Sequence, residues 1–212
     1  MKFSGSSSPD SGTNFAFNSQ FSALRALERV WQIRSARLPD LSALSAILLE
    51  GFHPSTSWQW LQPFVRLGIQ EDLRQRLSHE SSHYVCLIAS SQTEEHTHQG
   101  ADLVGTVEIS LRSPDVWLRG TQPYPYLSNL TVRAAWRGQG VAQQLLVASE
   151  HVALSWGFQD LYLHVLEQNY PARNLYQKAG YRLQQSDAFW YRWLPWRSPR
   201  LLLHKHLLSP LG

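Results

Sequence analysis

The run Arg137-Gly138-Gln139-Gly140-Val141-Ala142 stands where the sequence changes from strand grammar to helix grammar. Before it, Tyr126 to Val132 alternates as a strand with two differently used faces; after it, Val141, Leu145, Ala148 and Val152 recur at helical spacing. Glycines at 138 and 140 let the backbone take positive φ and come close to a ligand. The helix that follows opens with unpaired N–H groups and the positive end of its dipole. Together these make a cradle for a pyrophosphate. A Walker loop is excluded, because Val141 and Ala142 stand where Lys and Ser or Thr are needed. A dinucleotide fingerprint is excluded too, for want of a third glycine and an acidic residue about 20 positions on.

Other reactive side chains are less organised. His96 and His98 sit in the polar stretch Ser90 to Gly100 with no further ligands nearby, which reads as a solvated hairpin loop and not as a metal site. Cys86 lies in the apolar stretch Tyr84 to Ile88 and reads as an inert buried thiol. As the single cysteine it can form no disulfide within the chain, which favours a reducing compartment: the cytoplasm, or the plastid stroma if the source is a plant.

The elements that must position the cradle follow from periodicity. Val30 to Arg34 reads as a first strand; Leu38-Pro39-Asp40 supplies a turn and an N-cap for a helix carrying Leu41, Leu44, Ile47 and Leu48. A loop begins at Phe52, Pro63 punctuates the aromatic run Trp58 to Phe64, and a second helix carries Ile69, Leu73 and Leu77. Strands follow at Tyr84 to Ala89 and Asp102 to Leu111. The second alternates, with Leu103, Gly105, Val107, Ile109 and Leu111 on one face and Val104, Thr106, Glu108 and Ser110 on the other. Beyond the cradle helix and its glycine cap at Gly157 come a strand at Leu161 to Leu166, a short helix at Asn169 to Lys178, and strands at Tyr181 to Gln185 and Leu201 to Leu207.

A chain of 212 residues, 43% hydrophobic and 12% aromatic, can bury one substantial core. Residues 30–212 are expected to form one domain behind a Ser-, Gly- and Asn-rich flexible leader at 1–29, which resembles a transit peptide only in being Ser-rich and acid-poor. A formal charge of +3, spread along the chain, argues against nucleic acid as a partner, and no apolar run has the length of a membrane span.

The form Arg-x-x-Gly-x-Ala between strand and helix resembles the coenzyme signature of the GNAT (GCN5-related) N-acetyltransferases. Asn169-x-x-Ala172-x-x-Leu175-Tyr176 followed by Ala179-Gly180-Tyr181 resembles the second half of that signature, in the right order and spacing. The resemblance spans residues 31 to 207, and the wording RLGIQEDLRQRL at 66 to 77 is similar to the plant plastid and cyanobacterial branch. It implies an α/β fold with a mixed, mostly antiparallel sheet of six to seven strands, helices on both faces and a splayed central strand pair.

The same resemblance implies acetyl-CoA as donor, with no metal. The backbone of Leu130, Thr131 and Val132, the cradle Arg137, Gly138, Gln139, Gly140, Val141 and Ala142, and Asn169, Ala172 and Tyr176 would hold it. Tyr176 occupies the family's general-acid position; a phenol of ordinary pKa about 10 can protonate a thiolate whose conjugate acid lies near about 8.5. The family's usual carboxylate base on the central strand is missing from YLSNLTV. Tyr126, eleven residues before Arg137, and His164, five before Asn169, match the catalytic Tyr and His of Nα-acetyltransferases acting on Met-initiated N-termini. Glu108 is the competing base. Phe52, His53, Trp58, Glu108, Ser128 and Trp190 fall in segments that would line the acceptor site.

The expected reaction is direct acetyl transfer to a primary amine: protein N-terminal α-amines, lysine ε-amines, or both. The alternatives are a small-amine acetyltransferase for an arylalkylamine such as serotonin or for a polyamine, and, from another class, a non-catalytic acyl-CoA sensor. A monomer or homodimer is expected.

Overall fold

The computed structural model of the protein describes residues 31–51, 62–78, 83–91, 103–113, 122–186 and 199–207. Strand β1 (Gln32–Ser35) leads through a 3-10 turn (Leu38–Asp40) into helix α1 (Leu41–Gly51) and, later, helix α2 (Gln62–Ser78). Strands β2 (Tyr84–Ser90), β3 (Leu103–Arg112) and β4 (Tyr124–Val132) follow. A second 3-10 turn (Ala134–Trp136) precedes helix α3 (Val141–Ser155); then come β5 (Asp160–Leu166), α4 (Tyr170–Lys178), β6 (Arg182–Ser186) and β7 (Arg200–His206).

The seven strands form one sheet in the order β1-β2-β3-β4-β5-β7-β6, with β4 and β5 its only parallel neighbours. Both faces are covered. On one, Val141, Leu145, Leu146 and Ala153 of α3 and Tyr176 of α4 pack on Leu87, Ala89, Val107, Ile109, Leu127, Leu161, Leu163 and Leu203. On the other, Leu44, Ile47 and Leu48 of α1 and Leu73 of α2 pack on Cys86, Ile88 and Leu103. Each fully buried Leu or Ile here contributes on the order of 1.5–3 kcal/mol. Because β2 sends Leu87 and Ala89 to one core and Cys86 and Ile88 to the other, its sequence reads as an unbroken apolar run.

Small residues decide how close the helix comes. Along α3, Ser149 and Ala153 are fully buried, and the Ser149 hydroxyl donates back to the Leu145 carbonyl at 2.8 Å. At the start of the helix, a Cβ on Gly105 would lie 3.0 Å from Val141 Cγ1 and 3.1 Å from the Thr131 carbonyl oxygen. Glycine at 105 therefore lets the first turn of α3 rest on the β3/β4 pair.

Several expected boundaries and faces change. Among the described residues the first strand runs from Gln32 to Ser35, and Val30, expected to begin it, lies outside them; Trp31 is engaged elsewhere, its backbone N–H donating to Gln144 Oε1 and its indole N–H to the Gln139 carbonyl. Pro63 falls inside the first turn of α2, where the missing N–H costs nothing. Asp40 belongs to the 3-10 turn and accepts from the Arg37 N–H at 2.8 Å, while its carboxylate is gripped by both terminal nitrogens of Arg34 at 2.7 and 2.8 Å.

The strict alternation expected for β3 also fails. Ala89 pairs with Gly105 but Ser90 pairs with Leu103, a bulge at Val104, so Leu103 joins the α1/α2 core and Val104 the α3 core. Among the described residues no helix is long and apolar enough to cross a membrane, and no cluster of His, Cys, Asp and Glu is arranged to hold a metal.

Candidate active site

The cradle forms where strand β4 leaves the sheet. After the Ala134–Trp136 turn, Gly138 and Gly140 adopt φ of +74° and +84°, and α3 begins at Val141 with Gly140 as its N-cap. Such dihedrals strain any residue bearing a Cβ. A Cβ built on either glycine would meet nothing within 4 Å, so the space before the helix N-terminus is open. That open space, faced by backbone N–H groups, fits a pyrophosphate.

Its walls are braced from outside the motif. Trp31 reaches Gln139 and Gln144 as described and packs edge-on against Trp136 at 5.3 Å between ring centroids. The Arg137 guanidine donates to the Val132 carbonyl at 3.1 Å, and Gln139 Nε2 donates to the Ala135 carbonyl at 3.0 Å. Ala142 lies in the first turn of α3.

Strands β4 and β5 pair only at Tyr126 with Tyr162 and at Leu127 with Leu163. Beyond Leu127 they diverge, and Leu130, Thr131 and Val132 run along the opening. On its other edge β4 carries a bulge: Thr106 pairs with Thr131 and Glu108 with Ser128, so Asn129 and Leu130 together oppose Val107. Asn129 has φ of +54°, the sole positive value outside glycine among the described residues. Thr131 turns its side chain toward α1, where a Cβ on Gly51 would lie 2.8 Å from Thr131 Cγ2.

Two residues far apart in sequence meet across the splayed pair. Tyr126 Oη lies 3.0 Å from His164 Nδ1, and the Arg112 guanidinium stacks 3.4 Å above the Tyr126 ring. Tyr126 is 6% exposed. Alternation along β5 puts Asp160, Tyr162 and His164 on this face, where the Tyr162 ring stacks on His204 at 4.7 Å and meets Tyr124 edge-on at 5.3 Å. Asp160 Oδ1 binds His204 Nε2 at 2.7 Å and His206 Nδ1 at 3.0 Å.

Tyr176 projects from α4 into the core and is 7% exposed. Burial, with a smaller contribution from nearby Tyr126, pushes its phenol far above the ordinary tyrosine value, so it holds its proton at any physiological pH. Asn169 caps α4, its Oδ1 accepting from the Ala172 N–H at 3.3 Å.

Glu108, the competing base, is buried and engaged by the protein. It is 2% exposed, and both oxygens are occupied: Oε2 by Arg76 at 2.8 Å and Oε1 by the Asn129 side-chain amide at 3.0 Å. Ser128 faces it across the β3/β4 register. Burial pushes the Cys86 thiol up to about 12, and its sulfur sits 3.5 Å from Thr106 Oγ1, which suits an inert core thiol. Phe52, His53, Trp58 and Trp190, assigned to the acceptor site, lie outside the described residues, as do His96 and His98. Trp31, Arg112 and Asn129 escaped the sequence reading. Of these only Asn129 left a trace, as a residue type that tolerates positive φ within a strand.

An open glycine turn at a helix N-terminus lies at the mouth of a splayed parallel strand pair, in a chain that also buries the protonated Tyr176 phenol. Over residues 45–181 the sequence matches the acetyltransferase (GNAT) family, and the chain belongs to that family as an acetyl-CoA-dependent N-acetyltransferase. It is an enzyme, and not a passive acyl-CoA sensor. It is 28% identical to the chloroplastic GCN5-related N-acetyltransferase 10 of Arabidopsis thaliana over 82% of this chain and 72% of that one. N-alpha-acetyltransferase 30 of Schizosaccharomyces pombe is 31% identical over 64% of this chain and 92% of its own. Among solved structures, the PaiA N-acetyltransferase of Thermoplasma acidophilum in complex with coenzyme A superposes with a TM-score of 0.60 at 17% identity, covering 84% of this chain and 99% of that one.

Proposed function

We propose that the enzyme acetylates protein acceptors, at N-terminal α-amines, lysine ε-amines or both. The observation that carries this reading is the Tyr126–His164 pair, 3.0 Å apart across the splayed strands, at the two positions where the resemblance to Nα-acetyltransferases requires a Tyr and a His. The similarity to N-alpha-acetyltransferase 30 supports it. So does the charge of the acceptor face. There Glu108 is held by Arg76 and Asn129, Asp160 by two histidines, and Arg112 lies exposed on the Tyr126 ring. Among the described residues this face offers no disengaged carboxylate to grip the second ammonium of a polyamine.

In this reading the cradle N–H groups of Gly138 to Ala142 bind the pyrophosphate of acetyl-CoA, and Asn169 and the β4 backbone bind its pantetheine arm. The Tyr126–His164 pair removes the ammonium proton. His164 Nε2 is buried, which favours the phenol oxygen as the first acceptor, passing its own proton to Nδ1. The freed amine attacks the thioester carbon, a backbone N–H of the Leu130–Val132 segment that faces the opening receives the developing oxyanion, and Tyr176 protonates the departing sulfur. A reducing compartment, cytoplasm or plastid stroma, suits the lone buried cysteine and agrees with a relative named as chloroplastic.

The test is acetyl transfer from labelled acetyl-CoA to a panel of free N-terminal peptides, α-blocked lysine peptides, serotonin and spermidine, with products read by mass. Label on peptides is expected, and the modified amine assigns the acceptor. Label confined to serotonin or spermidine overturns the reading.

A further inference from the structure

A buried carboxylate needs a reason to be there, and Glu108, 2% exposed, spends one lone pair of each oxygen on a donor from the protein and not on solvent. The donors point to the reason. One is Arg76 of α2, itself tied to Asp72 at 2.7 Å. The other is the side chain of Asn129, whose backbone holds the one left-handed conformation outside glycine among the described residues.

That conformation sits at a decisive point of β4. Pairing with β5 ends at Leu127, the bulge occupies Asn129 and Leu130, and the segment along the opening is Leu130–Val132. Successive N–H groups of a strand point to opposite edges. One added residue therefore exchanges the groups that face β3 with those that face the opening, as a one-residue slip exchanges faces.

We infer that Glu108 is a positioning residue: its buried carboxylate, braced by Arg76, holds Asn129 in the left-handed conformation that sets the β4 bulge and so aims the backbone of Leu130–Val132 into the gap between β4 and β5. Asparagine tolerates this conformation better than most residues, and the tether from Glu108 selects it over the extended alternative. The inference needs only the acetyl-transfer chemistry, whatever the acceptor proves to be.

The experiment compares full-length Asn129→Gly and Asn129→Val, then Glu108→Gln alone and in the Asn129→Gly background, with any amine the wild-type enzyme turns over. Glycine keeps positive φ without a tether; valine excludes it. Asn129→Val should have a kcat at least about tenfold below that of Asn129→Gly, while both bind coenzyme A within about threefold of wild type because the cradle is untouched. Glu108→Gln should lower kcat in the wild-type background but by less than about threefold when Asn129 is already glycine, the signature of action through that residue.

Equal turnover of the two Asn129 variants overturns the inference. An equal loss from Glu108→Gln in both backgrounds, with the rising limb of the pH profile abolished, overturns it in favour of a direct proton-transfer role. Should Glu108→Gln fail to fold, the Asn129 pair decides alone, since neither variant unpairs Arg76 and coenzyme A binding reports that each is folded.

Discussion

The donor side and the acceptor side of this enzyme are built by different means. In the proposed function the cradle is made of consecutive residues, 137 to 142, and would act through backbone N–H groups that glycine dihedrals and a helix terminus aim. The proposed acceptor side is made of side chains from β3, β4 and β5, with Arg112, Tyr126 and His164 brought together by strand register. Backbone sites tolerate side-chain exchange at most positions but not the loss of a glycine. Register-built sites depend instead on the identity of each reacting side chain.

Replacing the buried phenol should produce the largest effect. Tyr176→Phe is expected to lower kcat by about 10²-fold or more with acetyl-CoA binding retained, the scale of a positioned acid; unchanged turnover would remove Tyr176 from the mechanism. On the acceptor side, Tyr126→Phe and His164→Phe should each cost about 10²-fold in kcat, and the double variant little more than either, as expected of the proposed single proton relay. Losses that multiply in steady-state assays would mean separate tasks for the two residues.

On the donor side the expected signature is affinity. Gly140→Val should weaken acetyl-CoA binding by about tenfold or more in calorimetry, since valine is strained at φ of +84° and its side chain enters the open cradle. Normal binding would place the pyrophosphate elsewhere. The smallest change joins the two sides: Gly105→Ala presses a methyl against Val141 and the Thr131 carbonyl, and should cost about 1–3 kcal/mol of stability as overpacking does, read as a lower Tm. An unaltered Tm would show that α3 moves freely on the sheet.

The same contrast explains what could be read in advance. The cradle is contiguous, so its glycines, its preceding strand and its following helix were all visible in one stretch of sequence. Tyr126 and His164 are 38 residues apart in the chain, and only the family's spacing brought them together. The β3 faces differ from strict alternation because a bulge at Val104 shifts the pleat, and Gly105 beside it reads in sequence as one more position of the apolar face. The partners of Glu108 could not be read from its setting between Thr106 and Ser110, because Arg76 lies on another element and Asn129 across the register. The place of Trp31 against the cradle depends on tertiary contacts with Gln139 and Gln144 that periodicity does not encode.

The brevity of the β4–β5 pairing has a mechanical consequence. Two residue pairs are the whole hydrogen-bonded seam between a four-stranded half, β1 to β4, and a three-stranded half, β5 to β7. A pantetheine arm lying in the opening and bonding to β4 would act as a partial strand, lengthening that seam with each amide it engages. Donor binding would then stiffen the enzyme, slowing amide hydrogen exchange along Leu130–Val132. The departure of coenzyme A after transfer would return the sheet to its two loosely stitched halves.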